Sequence, residues 1–210
     1  MKRTILQIVL ILLTITSFSQ KKAVTETGEE VILYDNGTWK YVNDSARVKI
    51  QIPVNPKVFK KSSNSTFLLK STRTEIGIWI DSKKWTFKKA ANNEDAEYEL
   101  QLKGKDLYGM IITEKIEIPL ESLKDIAIEN AKSVASDIEV SKQEYRTVNN
   151  KKVLFMQMNG TTQGVKFSYY GYYFSNANGT VQLVSYTSQK LMTDLSGDAE
   201  EFLNGLVALE

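Results

Sequence analysis

One stretch, residues 164–187, constrains the fold of this chain more than any other. It is rich in valine, phenylalanine, tyrosine and threonine on both sides of Asn178-Gly179, and Asn and Gly tolerate the positive φ that a reversing loop needs. The pattern predicts two antiparallel strands joined by a turn. Tyr169 and Tyr170 point to opposite faces, and both faces of the first strand are apolar, which is typical of a strand covered on both sides. We therefore expect this strand in the middle of a sheet.

The first 19 residues are typical of a cleaved signal peptide. Lys2 and Arg3 supply a basic start, residues 5–15 are apolar, and small serines precede a cut before Gln20. The apolar run is shorter than the ~20 residues that a membrane-spanning helix needs. We expect an exported bacterial protein, periplasmic or secreted, and a retained membrane anchor is the alternative.

Composition excludes several classes of function. The chain has 27 lysines and arginines against 25 acidic residues, and the predicted cut removes two of the basic ones. A balanced charge argues against nucleic acid as a partner, because phosphate neutralisation needs a basic excess. The chain has no cysteine and no histidine, which removes disulfides, thiolate chemistry, the commonest general base and the commonest metal ligand. We expect a protein that is not an enzyme and carries no cofactor or metal.

Residues 20–45 predict a β-hairpin. Asp35-Asn36-Gly37 lies between two short apolar strands, at residues 31–34 and 38–42, and this order is a strong hairpin signal. The segment resembles the "GxxVxLxDDGTW" hairpin near the N-terminus of many secreted proteins of Bacteroidota-type bacteria, with Asn36 in place of the second Asp. An isolated hairpin is marginally stable, so we expect it to dock on another surface.

Residues 46–66 predict a basic linker. The chain from Arg47 to Arg73 contains no acidic residue, and it includes Pro53, Pro56 and a serine-rich run. The pattern favours a solvated tether. The alternative is a patch that faces an anionic envelope surface, so any membrane contact would be peripheral.

Residues 67–210 predict the main domain, of class α+β, with an antiparallel sheet flanked by helices. Pro119 opens a helix whose apolar residues recur at helical spacing, and a second helix is predicted over residues 198–209. Turns are predicted at Asn149-Asn150 and at Asn159-Gly160.

The order of these elements is similar to that of the PsbP-like family, which includes the extrinsic subunit of photosystem II and the eukaryotic Ran-binding nuclear import factor. The positions that carry the resemblance are Phe67-Leu68-Leu69, Trp85, Ile112-Thr113-Glu114, the turn at residues 148–152, Asn178-Gly179 and Phe202-Leu203. These are structural positions. The resemblance implies an α/β/α sandwich and an adaptor role without catalytic activity, and it carries over no site residue.

Aromatic side chains are the candidate ligand or partner surface. They supply flat apolar area, much of it with polar handles. The candidates are Trp79, Trp85, Tyr169, Tyr170, Tyr172 and Tyr173. Core packing under the helices is one interpretation, and a groove where tyrosines extend beyond the helices is the other.

These observations predict an exported, non-enzymatic binding or adaptor protein that contacts an unknown envelope protein. One alternative is a carrier of a small apolar or lipid-like ligand in a pocket between sheet and helix. The other alternative is an enzyme that uses tyrosine, lysine or carboxylates.

Overall fold

The structure, a computed structural model, describes residues 21–25, 30–34, 39–42, 51–91 and 93–209. The chain divides into two compact units, residues 1–51 and 52–210. The predicted signal peptide and the Asp35-Asn36-Gly37 turn lie outside the described residues.

The N-terminal unit contains a small antiparallel sheet. Its strands are β1 (Lys21–Val24), β2 (Glu30–Leu33) and β3 (Trp39–Tyr41), in that spatial order. β2 and β3 pair as the hairpin prediction requires, with Val31 opposite Tyr41. β1 is a third strand that the sequence pattern did not predict.

The second unit contains eleven strands and two helices among its described residues. The strands are β4 (Val54–Phe59), β5 (Phe67–Lys70), β6 (Ile76–Ile80), β7 (Trp85–Lys89), β8 (Ala96–Leu102), β9 (Tyr108–Glu114), β10 (Glu139–Val148), β11 (Lys151–Thr162), β12 (Val165–Asn176), β13 (Gly179–Ser188) and β14 (Leu206–Ala208). The helices are α1 (Leu120–Val134), between β9 and β10, and α2 (Gln189–Leu203), between β13 and β14.

Eight strands form the large sheet, in the order β4-β10-β11-β12-β13-β9-β8-β7. All neighbours are antiparallel except β4 and β10, which are parallel. β14, β6 and β5 form a second, three-stranded sheet. β12 lies in the middle of the large sheet, as its two apolar faces predicted.

Each face of the large sheet has its own core. On one face Leu123, Ala127 and Ala131 of α1 pack in a cluster that includes Met156 and Tyr173. The opposite face packs against α2 and the three-stranded sheet, through a larger cluster that contains Phe202. The alternation of β12 assigns its tyrosines to these two clusters. The predicted α+β sandwich is confirmed.

The linker prediction is wrong for residues 54–59, which form β4, and the second compact unit begins at residue 52 rather than 67. β4 pairs with β10 at the edge of the large sheet, and Phe59 is buried there. An edge strand tolerates Pro56, because its missing N–H need not serve a neighbouring strand. The lysines and prolines of this segment are typical of a linker, so the sequence pattern did not indicate the pairing.

Two boundaries also differ from the predictions. β11 continues through Asn159-Gly160 to Thr162, and the turn is formed by Gln163 and Gly164, both with positive φ. Gly160 therefore lies inside the strand. Glycine fits this position because a Cβ there would approach Ile138 Cδ1 to 2.8 Å. Asn149 and Asn150 do form the predicted turn, with φ of 46° and 65°.

The last helix begins nearer the N-terminus than predicted. α2 starts after Ser188, whose hydroxyl accepts a hydrogen bond from the Leu191 N–H, and it ends at Leu203. The residues that follow form β14, where Leu206 is buried. A serine N-cap satisfies a donor at the helix start, and this local signal marks the true beginning.

Candidate functional site

α1 covers only part of its face of the large sheet. Its buried residues pack against β11 and β12. The neighbouring strands β13 and β9 continue the same face beyond the helix, because Tyr169 on β12 lies opposite Tyr186, which lies opposite Tyr108. We call the half-buried side chains of these two strands the open face: Tyr108, Met110, Ile112 and Tyr186.

An aromatic row crosses this face. The ring centroids of Tyr169 and Tyr186 are 5.9 Å apart at 78°, and those of Tyr186 and Tyr108 are 5.5 Å apart at 25°. The ring centroids of Phe167 and Tyr169 are 4.8 Å apart, and their ring planes meet at 59°. Offset and edge-on pairs at these distances are favourable, so the rings hold one another in place.

Tyr169 lines two cavities. The first, the α1 cleft, has a volume of about 210 Å³ and lies between α1 and the open face. Met110, Ile112 and Val184 belong to its sheet side, Ala131 and Val134 to its helix side. Polar side chains join its lining: Asn93, Asp95, Asn130, Ser133 and Gln182. The lining of the cleft therefore combines apolar and polar side chains, as the linings of small-ligand sites do.

The second cavity, the aromatic corner, has a volume of about 530 Å³. Four rings contribute to its lining: Tyr108, Phe167, Tyr169 and Tyr186. Asp106, Thr162, Thr187, Ser188 and Leu191 complete it. The Thr187 hydroxyl donates to the Asp106 carbonyl, and this bond ties the turn before β9 to β13.

Tyr169 and Tyr186 are neutral near pH 7. Burial raises the pKa of Tyr169, and burial together with the nearby Glu99 raises the pKa of Tyr186. A raised phenol pKa keeps the proton on the hydroxyl. The arrangement therefore offers aromatic surface and hydrogen-bonding hydroxyls rather than an activated nucleophile.

On the opposite face, a buried Arg146 connects three elements. Its guanidinium donates to Glu144 Oε1 at 2.6 Å, to the Tyr172 hydroxyl at 3.0 Å and to Glu200 Oε2 at 3.1 Å. Burial alone would lower the pKa of Arg146, but Tyr172 and Glu144 outweigh it and raise the pKa. The group is a paired, fully charged anchor between the sheet and α2, with no free base beside it.

The Arg146 guanidinium also lies between two aromatic rings. It is 3.9 Å from the ring centroid of Phe155 and 4.5 Å from that of Phe59. This stacking favours arginine over lysine, since the guanidinium is planar and weakly hydrated.

A second buried charge organises the loop between β5 and β6. Glu97 accepts hydrogen bonds from the hydroxyls of Ser71, Thr72 and Thr113 and from the Thr72 N–H. Burial works to raise the pKa of Glu97, but these donors outweigh it and hold the pKa below the usual value. A carboxylate so fully occupied is structural, because no lone pair is directed at solvent or substrate.

The structure does not bring the six predicted aromatic residues together. Three of them lie in the core. Trp85 is buried against Phe202 of α2, Tyr172 donates to Asn204 Oδ1, and Tyr173 is buried under α1. Burial raises the pKa of Tyr172 to about 12.

The other three are half-buried and lie at separate places. Tyr169 lines both the α1 cleft and the aromatic corner. Tyr170 lies on the opposite face of β12, beside Arg146, and Trp79 belongs to the three-stranded sheet with Lys61 Nζ 5.0 Å from its ring centroid. The site residues that the sequence analysis missed are Tyr108 and Tyr186, because only the strand register places them beside Tyr169.

Two further findings concern the described ranges alone. Among these residues, no group of three or more acidic side chains is arranged to hold a metal ion. In the same part of the chain, no helix combines the length and the apolar character that crossing a bilayer requires.

Comparison with solved structures identifies the architecture. Cyanobacterial PsbP (CyanoP) from Synechocystis sp. PCC 6803 matches 68% of this chain and 91% of its own length, with 8% identity and a TM-score of 0.51. The fold is PsbP-like. This confirms the resemblance that the order of elements indicated.

Two other PsbP-like matches have lower TM-scores. LpqN, involved in cell envelope biogenesis of Mycobacterium tuberculosis, matches 69% of this chain and 90% of its own length at 9% identity, with a TM-score of 0.46. A Pseudomonas aeruginosa protein of unknown function matches 67% and 95% at 10% identity, with a TM-score of 0.43. No protein-family model matches the sequence, and no curated protein matches it.

Proposed function

We propose that this protein is an exported, non-enzymatic binding protein of the bacterial cell envelope that holds a small ligand in the α1 cleft and the aromatic corner. The observation that carries the proposal is the open face. Its residues line two cavities, both also lined by Tyr169, and apolar and aromatic side chains make up much of the two linings. The signal-peptide pattern of residues 1–19 supports export.

The chemistry of the site supports binding rather than catalysis. Raised pKa values keep Tyr169 and Tyr186 protonated. The buried charges of Arg146 and Glu97 are held in structural hydrogen bonds. A catalytic site needs a nucleophile or base within hydrogen-bond reach of a reacting atom, and neutral rings with a polar rim fit recognition better.

Binding of a neutral apolar dye tests this function. Nile red, whose emission rises in an apolar site, is titrated into the mature protein. We expect saturable binding of one dye per chain, lost in Met110→Arg, because an arginine at the floor of the α1 cleft fills it with charge. Ile126→Arg is the matched control, since Ile126 is an exposed apolar residue of α1 outside the cleft lining. Absence of saturable binding, or equal loss in both variants, contradicts the proposal.

A partner protein is the second candidate function, and a separate surface favours it. Phe67 and Phe87 are exposed by 41% and 40%, and their ring centroids are 5.3 Å apart. Exposed aromatic pairs are enriched in protein interfaces. Phe87 belongs to β7, an edge strand of the large sheet, where a partner strand can pair. Loss of a copurifying polypeptide in Phe87→Ser would support this role, and its retention would contradict it.

A further inference from the structure

Three of the four rings of the aromatic corner are not parallel to one another. Tyr169 and Tyr186 meet at 78°, and Phe167 lies at 59° to Tyr169, whereas Tyr108 and Tyr186 are stacked at 25°. All four rings line the same cavity. An ammonium group within about 6 Å of a ring centroid is attracted by the negative face of the ring. Non-parallel rings around one space are the arrangement that recognises alkylated ammonium groups.

Among the described residues that line the corner, Asp106 is the one charged residue. The neighbouring Lys105 is directed elsewhere, with its Nζ 2.9 Å from Asp198 Oδ2. Lys103 Nζ donates to the Ser82 carbonyl at 2.9 Å. The chain has 27 lysines and arginines, yet within the ranges that the structure describes none lines the aromatic corner or the α1 cleft.

One nearby group opposes a cation. The N-terminus of α2 borders the corner at Ser188, and a helix N-terminus carries roughly half a positive charge. The Ser188 hydroxyl already accepts the Leu191 N–H. Asp106 carries a full negative charge, whereas the helix N-terminus carries a partial positive one.

We propose that the aromatic corner binds an organic ammonium group with apolar substituents. The inference names the chemical class of the ligand, and therefore rests on the proposed function. The cavity of about 530 Å³ falls within the roughly 300–1,000 Å³ of small-molecule sites. The rings hold the substituents, and Asp106 neutralises the charge. Tyr169 also lines the α1 cleft, which would take an apolar part of the ligand.

Choline and its neutral carbon isostere, 3,3-dimethylbutan-1-ol, form a matched pair of probes. Both are titrated into the mature protein and followed by NMR shifts of the protein. We expect choline to bind about tenfold more tightly than the alcohol, because only the cation gains the ring and carboxylate attraction. Equal binding of the two probes, or no binding of choline, overturns the inference. Nile red binding is measured on the same sample, so failure of the ligand class is distinguished from failure of the binding function.

Three variants locate the site. Asp106→Asn and Tyr186→Leu should each weaken choline binding about fivefold, since each removes one source of attraction. Asp95→Asn is the control, because this carboxylate lines the α1 cleft and not the corner. An unchanged choline affinity in Asp106→Asn and Tyr186→Leu, or an equal loss in Asp95→Asn, contradicts the assignment.

The same ammonium chemistry occurs on free amines and on lipid headgroups. Flotation with phosphatidylcholine vesicles, compared with phosphatidylglycerol vesicles, distinguishes the two sources. Binding of free choline without vesicle binding supports a soluble ligand. Asp106-dependent binding to phosphatidylcholine alone supports a headgroup. Binding to neither form of the ammonium group overturns the proposal.

Discussion

Arg146 shows at the scale of one residue how the sheet and α2 are held together. Its side chain is 5% exposed and forms ion pairs with Glu144 and Glu200. Removal of one partner from a buried pair leaves the other charge uncompensated. We expect Arg146→Leu to lower the free energy of unfolding by about 3 kcal/mol, measured by urea denaturation.

The control for Arg146 is Lys142→Leu. Lys142 Nζ also approaches Glu144, at 3.8 Å, but its side chain is 52% exposed. An exposed pair contributes about 0–1 kcal/mol, so this variant should lose little stability. Equal losses in the two variants would show that the Arg146 hydrogen bonds and ring contacts add nothing beyond a nearby charge.

Glu97 gives a pH-dependent prediction. Its folded-state pKa lies below the unfolded value, so the carboxylate stabilises the fold above the unfolded pKa of about 4.3, and this stabilisation is lost as the pH falls through the folded pKa. Glu97→Gln should cost about 1–3 kcal/mol at pH 7. The difference from the natural protein, measured by urea denaturation, should shrink toward pH 3. A difference that stays constant with pH would contradict this account.

Residue patterns predicted which face each side chain of β12 occupies, but not the partners of those side chains. The period of two separates Tyr169 and Tyr173 from Tyr170 and Tyr172, as the two cores confirm. Arg146 meets Tyr172 and Glu200 across 26 and 54 residues of sequence. No local pattern carries such contacts, because they arise only when β10, β12 and α2 pack.

At the scale of elements, two glycines have opposite roles. A Cβ at Gly160 in β11 would lie 2.8 Å from Ile138 Cδ1 and 3.3 Å from Ala135 Cβ, whereas Gly197 in α2 has no atom within 4 Å of such a Cβ. Gly160→Val should destabilise the protein by about 1–3 kcal/mol through overpacking. Gly197→Ala should stabilise it by up to about 1 kcal/mol through helix propensity.

Thermal and urea denaturation of both variants check this pair. A neutral Gly160→Val would show that α1 and the loop after it can move away from β11 at little cost. A destabilising Gly197→Ala would show that the added methyl group clashes with a neighbouring atom, although the structure has no atom within 4 Å of it.

Elements with a local signal were predicted, and those that depend on a distant partner were not. Pro119 marks the start of α1, and Asn149-Asn150 marks a turn, because proline and asparagine set the backbone directly. β4 was assigned to a linker because its lysines and Pro56 resemble one. Its strand conformation comes from pairing with β10, about 90 residues away, as the Asn55–Glu144 hydrogen bond shows.

At the scale of the molecule, the open face follows from simple dimensions. A helix with its side chains is about 10–12 Å wide, and strands are spaced about 4.8 Å apart, so one helix covers about two strands. α1 packs against β11 and β12, and the half-buried Tyr108 and Tyr186 of the adjoining β9 and β13 lie outside its packing cluster. Core packing under the helices was one of two interpretations of the sequence, and a groove where tyrosines extend beyond a helix was the other. The strand order decides that Tyr108 and Tyr186 are the ones that do.

The most direct test of the account is a native mass spectrum of the protein purified from the cells that produce it, recorded before and after denaturation. We expect a mass above that of the polypeptide alone, with release of a small organic cation on unfolding. The same preparation of Met110→Arg should show the polypeptide mass alone, and Ile126→Arg should retain the ligand. A bare polypeptide mass for the natural protein, or release of a second polypeptide in place of a small molecule, would contradict the central claim.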